Sequence, residues 1–390
     1  MNETCGVVDD FGRLRLGSYR VPLGIAISIA VGYLACQSQE LYLLGVIVIV
    51  FWSLAKTRTE AVCYVATYTV FSTWVVVPSI TEYLHWNYAA SAGVWFVGMT
   101  VVIVPWLLLY RNDLKFIEIR LFVVLAATLL PPIGLVQFAS PFVGSSLLVP
   151  GLGYLSIILG IVVIGQVLRA VVMFGSQLPL SVLGVLAAVS LYTVKGKTLD
   201  GWAEVNTAVN VGGLEHTIVG SADALNAVRN TVLRDRPKVA VVGESTGGFS
   251  VDAGSIILGR ASEISVIVAG GRIDNQQALF VWEGNKSSIP YRQRVKPVLF
   301  GHMDGEWFGN KSVEIDGKKI APLICYEGAI PWPMISAMSD RPDAFLAVGN
   351  FHWSSNYRYF ERVLRSHVGA WGRVFDISTV VAVNRGASYG

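Results

Sequence analysis

The sequence predicts two dissimilar halves: a polytopic α-helical membrane domain, then an α/β domain of interleaved strands and helices. Three observations predict this. Charge is scarce and uneven. Charged residues make up 15% of the chain and hydrophobic residues 53%, against about 25% charged in average soluble domains. Of the 30 Lys and Arg residues, only Arg13, Arg15, Arg20, Lys56, Arg58, Arg111, Lys115, Arg120 and Arg169 precede Lys195. Apolar runs fill the segment before Lys195, and short β-rich runs bounded by turn residues fill the segment after Gly201.

A spanning helix needs about 20 mostly apolar residues. Seven candidate runs cover roughly 21–36, 41–55, 61–80, 88–110, 117–138, 147–172 and 178–194. The first two are short. Pro131-Pro132 lies inside the fifth and predicts a kink. The first run, from Val21, is followed by Cys36-Gln37-Ser38-Gln39-Glu40 and at once by another apolar run, which reads as a membrane hairpin and not as a cleaved leader.

Loop charge predicts the orientation. The N-terminal tail holds Arg13, Arg15 and Arg20, the second loop Lys56 and Arg58, the fourth Arg111, Lys115 and Arg120, and the sixth lies beside Arg169. The first, third and fifth loops hold no Lys or Arg. Cations collect on the cytoplasmic side of membrane proteins. Residues 1–20 are therefore expected as a cytoplasmic tail, 21–194 as the membrane domain, and 195–390 as a domain on the outer side, which in a bacterium is the periplasm. Glu82, His85 and Trp86 fall in the third loop and read as interfacial residues.

The second half has about 190 residues, enough for a core of its own. Expected strands are 202–209, 238–243, 264–270, 278–283, 319–325, 344–349 and 379–384. Residues 222–235 read as an amphipathic helix, with Ala222, Leu225, Val228, Val232 and Leu233 on one side. Gly284-Asn285 and Asp316-Gly317 mark turns. Strands interleaved with helices predict a layered α/β domain.

Composition excludes some functions. A net charge of +3 is too small to argue for a nucleic-acid partner. Cys5, Cys36, Cys63 and Cys325 show no paired spacing, so neither a disulfide framework nor a metal site is predicted, and no cofactor motif is present.

Three segments could carry chemistry. Val239–Gly243 is an apolar strand that ends on Glu244, just before a glycine-rich loop. Strand ends are where α/β sheets build sites. Tyr291-Arg-Gln-Arg294-Val-Lys296-Pro-Val-Leu-Phe300-Gly301 is a basic segment. Ala321-Pro-Leu-Ile-Cys325-Tyr326-Glu327 ends another apolar strand on a thiol. Gly328, Pro331 and Pro333 follow, which predicts a sharp strand-to-helix turn. A helix N-terminus or a cation beside such a thiol would lower its pKa. Each signal alone is weak, because strand-end cysteines are usually inert and strand-end glutamates usually solvated. Together, in the order Glu, cation, Cys, they are specific.

That set resembles the carbon–nitrogen hydrolase (nitrilase) superfamily, which uses a Glu–Lys–Cys triad on an α-β-β-α sandwich. With the membrane half included, the layout resembles the bacterial apolipoprotein N-acyltransferases and a family of plasmid conjugal-transfer proteins of similar design. Ile324-Cys325-Tyr326-Glu327 matches the nucleophile motif, Glu244 the general base, and Tyr291…Phe300-Gly301 the stretch holding the lysine. Asn350-Phe-His-Trp353 and Ala382-Val383-Asn384-Arg385-Gly386 look like later family segments. The family's spacing from Phe300 lands on Arg294, while Lys296 needs a two-residue gap. A compact ammonium suits an oxyanion better than a guanidinium, and both candidates stay open. Where the acyltransferases carry a glutamate after the Phe-Gly pair, this chain has His302, with Asp304 and Glu306 close by. The acyltransferases also continue with more strands and a membrane helix where this chain reaches Gly390, so a shortened C-terminal domain is expected.

The resemblance implies a thioester at Cys325, with Glu244 as base, Lys296 or Arg294 as oxyanion cation, and Glu327 supporting the cation or placing the acceptor. It implies the phospholipid bilayer as a partner and acyl donor, a lipoprotein or other amine as acceptor, and the conjugation apparatus as a setting. Amide hydrolysis and a non-catalytic membrane scaffold are the alternatives.

Overall fold

The computed structural model describes residues 19–131, 133–135, 137, 140–174, 178–193, 196–208, 226, 230–231, 234–244, 266–273, 276–283, 286–295, 304–351, 354 and 356–385. Helices occupy each of the seven apolar runs. α1 is Arg20–Ala35, and a 3₁₀ turn at Leu41–Leu44 leads into α2, Gly45–Leu54. α3 (Arg58–Thr73) and α4 (Val76–Leu84) form one run bent by 43°. α5 is Tyr88–Leu109, α6 Ile117–Leu129, α7 Pro141–Ser146, α8 Tyr154–Phe174 and α9 Leu178–Thr193.

Among the described residues, α5 (22 residues) and α8 (21 residues) are long and apolar enough to cross a membrane, and a third span results if α3 and α4 are one. Their outward faces are apolar. α5 exposes Phe96, Val97, Val101, Val104 and Leu108, and α8 exposes Leu155, Ile158, Val162 and Val172. A contiguous apolar exterior is tolerable where the solvent is lipid. The fifth run is not one kinked helix: α6 stops at Leu129, ahead of Pro131. The residue before a proline is pushed out of the α region, and Leu130 is extended, with φ −89° and ψ 150°.

The cations of this half gather at one end. Arg20 pairs with Glu60 at 3.3 Å, and the Lys56 N–H donates to the same carboxylate. The Tyr110 hydroxyl donates to the Ala55 carbonyl, which joins that group to Arg111, Asp113 and Arg120. Arg169 pairs with Glu118. The other end meets the second half. Tyr359 donates to the Ser72 carbonyl at 2.9 Å, Tyr154 to the Ile335 carbonyl at 2.7 Å, and Arg373 to the Ser190 carbonyl at 2.9 Å.

The second half is built on two sheets. The first has the order β1 (Trp202–Val205), β2 (Val239–Val242), β3 (Val266–Ile273), β4 (Gln276–Glu283), β5 (Lys286–Arg292), parallel through β3 and antiparallel after it. The second has the order β6 (Val313–Ile315), β7 (Lys318–Ile324), β8 (Ala344–Asn350), β9 (Ser378–Asn384), with β7, β8 and β9 parallel. β2, β7 and β8 read as continuous apolar runs because both of their faces are covered.

One face of each sheet meets the other. Val239, Val241, Val268 and Leu279 pack there against Ile320, Ile324, Leu346, Val348 and Ala382. The outer face of the second sheet, with Leu323, Phe345, Ala347 and Val381, is covered by α10 (Pro331–Ala337) and α11 (Tyr357–Phe375). α11 turns its far side to the membrane helices, so one core runs from the sheet through α11 into Tyr42, Tyr68 and Phe142. The outer face of the first sheet carries Ala240, Val242, Ile267, Ala269, Phe280 and Trp282. Of the helix expected over 222–235, residues 226, 230–231 and 234–235 are described and are helical; the rest lies outside the described residues. The two sheets and the α11 layer are three of the four layers of the α-β-β-α sandwich that the motifs implied.

Seven strands fall where the sequence placed them. β5 and β6 were not anticipated. β5 is an edge strand with Pro290 inside it, a position where a missing N–H costs no ladder bond, and its polar residues hide the period-two pattern.

Candidate active site

β2 and β7 lie in facing sheets, and their ends carry the acid and the thiol. Gly243 makes this possible. A Cβ there would lie 2.4 Å from the Val383 carbonyl carbon and 2.5 Å from the Asn384 nitrogen, so only glycine lets the two sheets approach so closely. Glu244 follows, 2% exposed, against Gly270 of β3.

Cys325 sits directly after β7 with φ +51°, a left-handed backbone that side chains with a Cβ disfavour. Such strain concentrates at functional positions. A 3₁₀ turn, Cys325–Ala329, then leads into α10, which has Pro331 at its first position. The anticipated strand-to-helix turn is therefore present. The half-buried thiol lies within hydrogen-bonding reach of the Glu244 carboxylate. The backbone N–H groups of Asn350 and Tyr326 point at the sulfur.

The electrostatics of the pair are those of a dry pocket. Burial pushes the Glu244 carboxyl up to about 8, and the thiol's hydrogen bond pulls the other way. Burial, then the Glu244 charge, holds the Cys325 thiol well above its ordinary value, while the Asn350 and Tyr326 N–H groups oppose this. The described surroundings thus raise the thiol's pKa, where the sequence suggested a neighbour that would lower it. One carboxylate oxygen of Glu244, Oε2, is buried and meets no partner among the described residues. A buried lone oxygen of this kind calls for a donor.

Glu327 is fully buried and does a different job. Its Oε1 accepts from the backbone N–H groups of Arg294 (2.8 Å) and Val295 (3.0 Å). Its Oε2 accepts from the Tyr291 hydroxyl (2.7 Å) and the Ile324 N–H (3.2 Å). Gln293 adds a bond to the Ile324 carbonyl at 3.0 Å. Glu327 therefore staples the end of β5, and the 293–295 segment after it, to the strand that delivers Cys325.

Arg294 points its guanidinium away from the thiol. It donates to Ser336 Oγ (2.9 Å) and the Pro333 carbonyl (3.0 Å), with the Tyr291 hydroxyl 3.4 Å from Nε, and so ties β5 to α10. Lys296 and His302 lie outside the described residues, as does the glycine-rich stretch after Glu244. The last described residue before Lys296 is Val295, fixed by Glu327 one residue away.

Sequence reasoning missed a contribution from the membrane half. Tyr83, near the end of α4, lies close enough to Cys325, Glu244 and Arg272 for their charges to act on its phenol. The bend that aims α4 there is held from the other half, where Trp74 packs edge-on against Tyr359. The third loop read only as interfacial, and nothing in the local sequence signals a site residue.

A two-sheet sandwich with a Glu–Cys pair at its strand ends, one face covered by α10 and α11 and joined through α11 to the membrane helices, defines a layered α/β domain on a polytopic helical domain. No family model matches the chain. It is 26% identical over 414 aligned positions to the conjugal transfer protein TraB of Agrobacterium fabrum, covering 95% of this chain and 94% of that one. It is 24% identical over 357 positions to a TraB protein of Sinorhizobium fredii, covering 86% and 90%. Among solved structures it is similar to a carbon–nitrogen hydrolase from Helicobacter pylori (12% identity, TM-score 0.33, 43% of this chain and 68% of that one). It is also similar to Nit3 of Saccharomyces cerevisiae, of the nitrilase superfamily (11% identity, TM-score 0.33, 46% and 73%).

Proposed function

We propose that this chain is a membrane-bound acyltransferase that carries an acyl group on Cys325 from a phospholipid to an amine, within a bacterial conjugation system. The observation that carries the reading is the Cys325 thiol within hydrogen-bonding reach of Glu244, with a left-handed nucleophile, a carboxylate oxygen that meets no partner among the described residues, and a tyrosine from the membrane half within range of their charges. The lipid donor follows from that neighbourhood, since a soluble amide would need no membrane platform. The conjugation setting rests on the TraB relatives.

Glu244 takes the thiol proton. The thiolate attacks the ester carbonyl, and the oxyanion is stabilised by a cation and by the Tyr326 N–H. Lys296 is the cation we assign. Its segment starts from the Glu327 staple, its ammonium would satisfy Glu244 Oε2, and Arg294 is committed to α10. The tetrahedral species collapses, and the C–O bond breaks. Glu244 returns the proton to the departing lysophospholipid alkoxide. The amine then attacks the thioester, the C–S bond breaks, and the thiol is restored. Water in place of the amine gives hydrolysis.

The seven apolar runs are taken as spans of the bacterial inner membrane. The gathering of cations at the end remote from the sandwich supports a cytoplasmic N-terminus and a periplasmic second half.

The test uses the full chain in nanodiscs containing a phospholipid with an alkyne-tagged acyl chain. Wild type is expected to acquire a hydroxylamine-labile tag on the peptide containing Cys325, released by added amine. Cys325→Ala is expected to acquire none while keeping its melting profile. A tag of equal yield on Cys325→Ala, or none on wild type, overturns the reading.

A further inference from the structure

α11 carries a buried histidine that the mechanism above leaves unused. His367 has no exposed surface. Its Nε2 lies 3.0 Å from the indole Nε1 of Trp371. An indole N–H can only donate, so Nε2 accepts and the ring proton resides on Nδ1. Nδ1 is 3.1 Å from the Gly328 carbonyl, and that N–H donates to it. Both nitrogens are therefore satisfied by the neutral ring, and burial pushes its pKa down to about 4.

Gly328 belongs to the 3₁₀ turn that begins with Cys325. A Cβ at Gly328 would lie 2.3 Å from Leu364 Cδ1, so the glycine is what lets α11 come near enough for the ring to reach the turn. Tyr42, from the 3₁₀ turn before α2 in the membrane half, also lies against the ring, with ring centroids 5.8 Å apart. Tyr359, two turns earlier on α11, donates to the Ser72 carbonyl where α3 ends. His367 thus stands between the membrane helices and the backbone of the nucleophile's turn.

We propose that His367 is a positioning residue for Cys325. Its Nδ1–H bond to Gly328 holds the turn that keeps Cys325 in the left-handed conformation, and with it the alignment of the thiol on Glu244. A left-handed backbone persists only where the surroundings over-determine it, and the Trp371–His367–Gly328 chain is such a constraint. Trp371 sets the tautomer, the tautomer supplies the donor, and the donor fixes the turn. The proposal rests on Cys325 being the reactive thiol.

The test measures alkylation of Cys325 by iodoacetamide in the full chain, followed by mass spectrometry of its peptide. This reads thiol reactivity without any acyl substrate. His367→Phe fills the space and removes the donor. It is expected to slow alkylation by about tenfold, a partial loss of the roughly 10²–10⁴-fold that a well-positioned base supplies. His367→Asn places an amide N–H near the position of Nδ1 and is expected to recover the rate to within about threefold. A double-mutant cycle with Glu244→Gln separates positioning from general damage. Glu244→Gln is expected to slow the wild-type background by about tenfold and the His367→Phe background by less than about twofold, because the alignment is already lost there. Additive effects in the cycle, or folded His367→Phe alkylated at the wild-type rate, overturn the proposal. If His367→Phe fails to fold, the Asn variant decides: folded but as slow as Glu244→Gln, it overturns the proposal. A wild-type thiol that is alkylated in a Glu244- and His367-dependent way, yet takes no acyl group from lipid, rejects the acyltransferase reading and leaves this one standing.

Discussion

Glu327→Gln tests the staple beneath the site. The substitution preserves shape and replaces one acceptor oxygen with an NH₂ donor. If that NH₂ occupies the Oε1 position, it faces two N–H groups, those of Arg294 and Val295, and both are orphaned. The better orientation puts it at Oε2, facing the Tyr291 hydroxyl, which can rotate to accept, and the Ile324 N–H, which cannot. One buried N–H is then unpaired, at a cost of about 1–3 kcal/mol. The three surviving bonds lose their charge assistance, about 1 kcal/mol each. Against this, the variant no longer buries a charge, which recovers a few kcal/mol. The net loss is about 2–4 kcal/mol. For a domain of this size that lowers the melting midpoint by roughly 5–10 °C. Because the staple places the 293–295 segment, from which the chain runs on to Lys296, tag transfer from lipid should fall as well, even well below the new midpoint. The assay is a thermal unfolding scan of the full chain in detergent, with acyl tagging measured at low temperature. A midpoint within about 2 °C of wild type, together with wild-type tagging, would refute the reasoning.

Two further variants probe the pair above the staple. The alkylation rate of Cys325 should inflect near pH 8 in wild type. In Lys296→Met the inflection should move higher, because losing an ammonium at Oε2 disfavours the ionised carboxylate. The raised pKa also sets the sign for stability. Relative to wild type, Lys296→Met should match below about 8, where the carboxyl is protonated in both, and lose ground as pH rises above it. Arg294→Met should lower the melting midpoint through its lost α10 bonds and leave the inflection in place; the reverse pattern would make Arg294 the cation. Gly243→Ala drives a Cβ into the Val383–Asn384 backbone and should abolish folding or cost several kcal/mol, whereas Gly98→Ala, with nothing within 4 Å, should be silent in the same unfolding scan.

Much of the molecule was legible in the sequence. Charge asymmetry and apolar run length separate the halves because lipid and water impose opposite composition rules on a chain. Glu244 and Cys325 were legible as strand ends, since an apolar run closing on a polar residue before glycine or proline has few other readings. α11 was not anticipated, although Tyr359, Val363, Leu364, Val368, Trp371 and Phe375 carry a helical period. Its arginines and the flanking aromatics blur that stripe, and its two sides are buried against different partners.

Only the tertiary structure decided which of these residues meet. Sequence spacing favoured Arg294 and residue chemistry Lys296; the fold commits Arg294 to Ser336 and Pro333, through the direction of β5. It made Glu327 a staple, because three backbone N–H groups from two segments, 294–295 and the end of β7, converge on it. It brought Tyr83 within range of the pair's charges and His367 to the turn that follows the thiol, from elements with no motif. Local sequence encodes period, polarity and turn chemistry, which are properties of neighbours along the chain. Hydrogen bonds between residues 36 or 39 positions apart, such as Tyr291–Glu327 and Gly328–His367, depend on how whole layers pack, and no single segment specifies that.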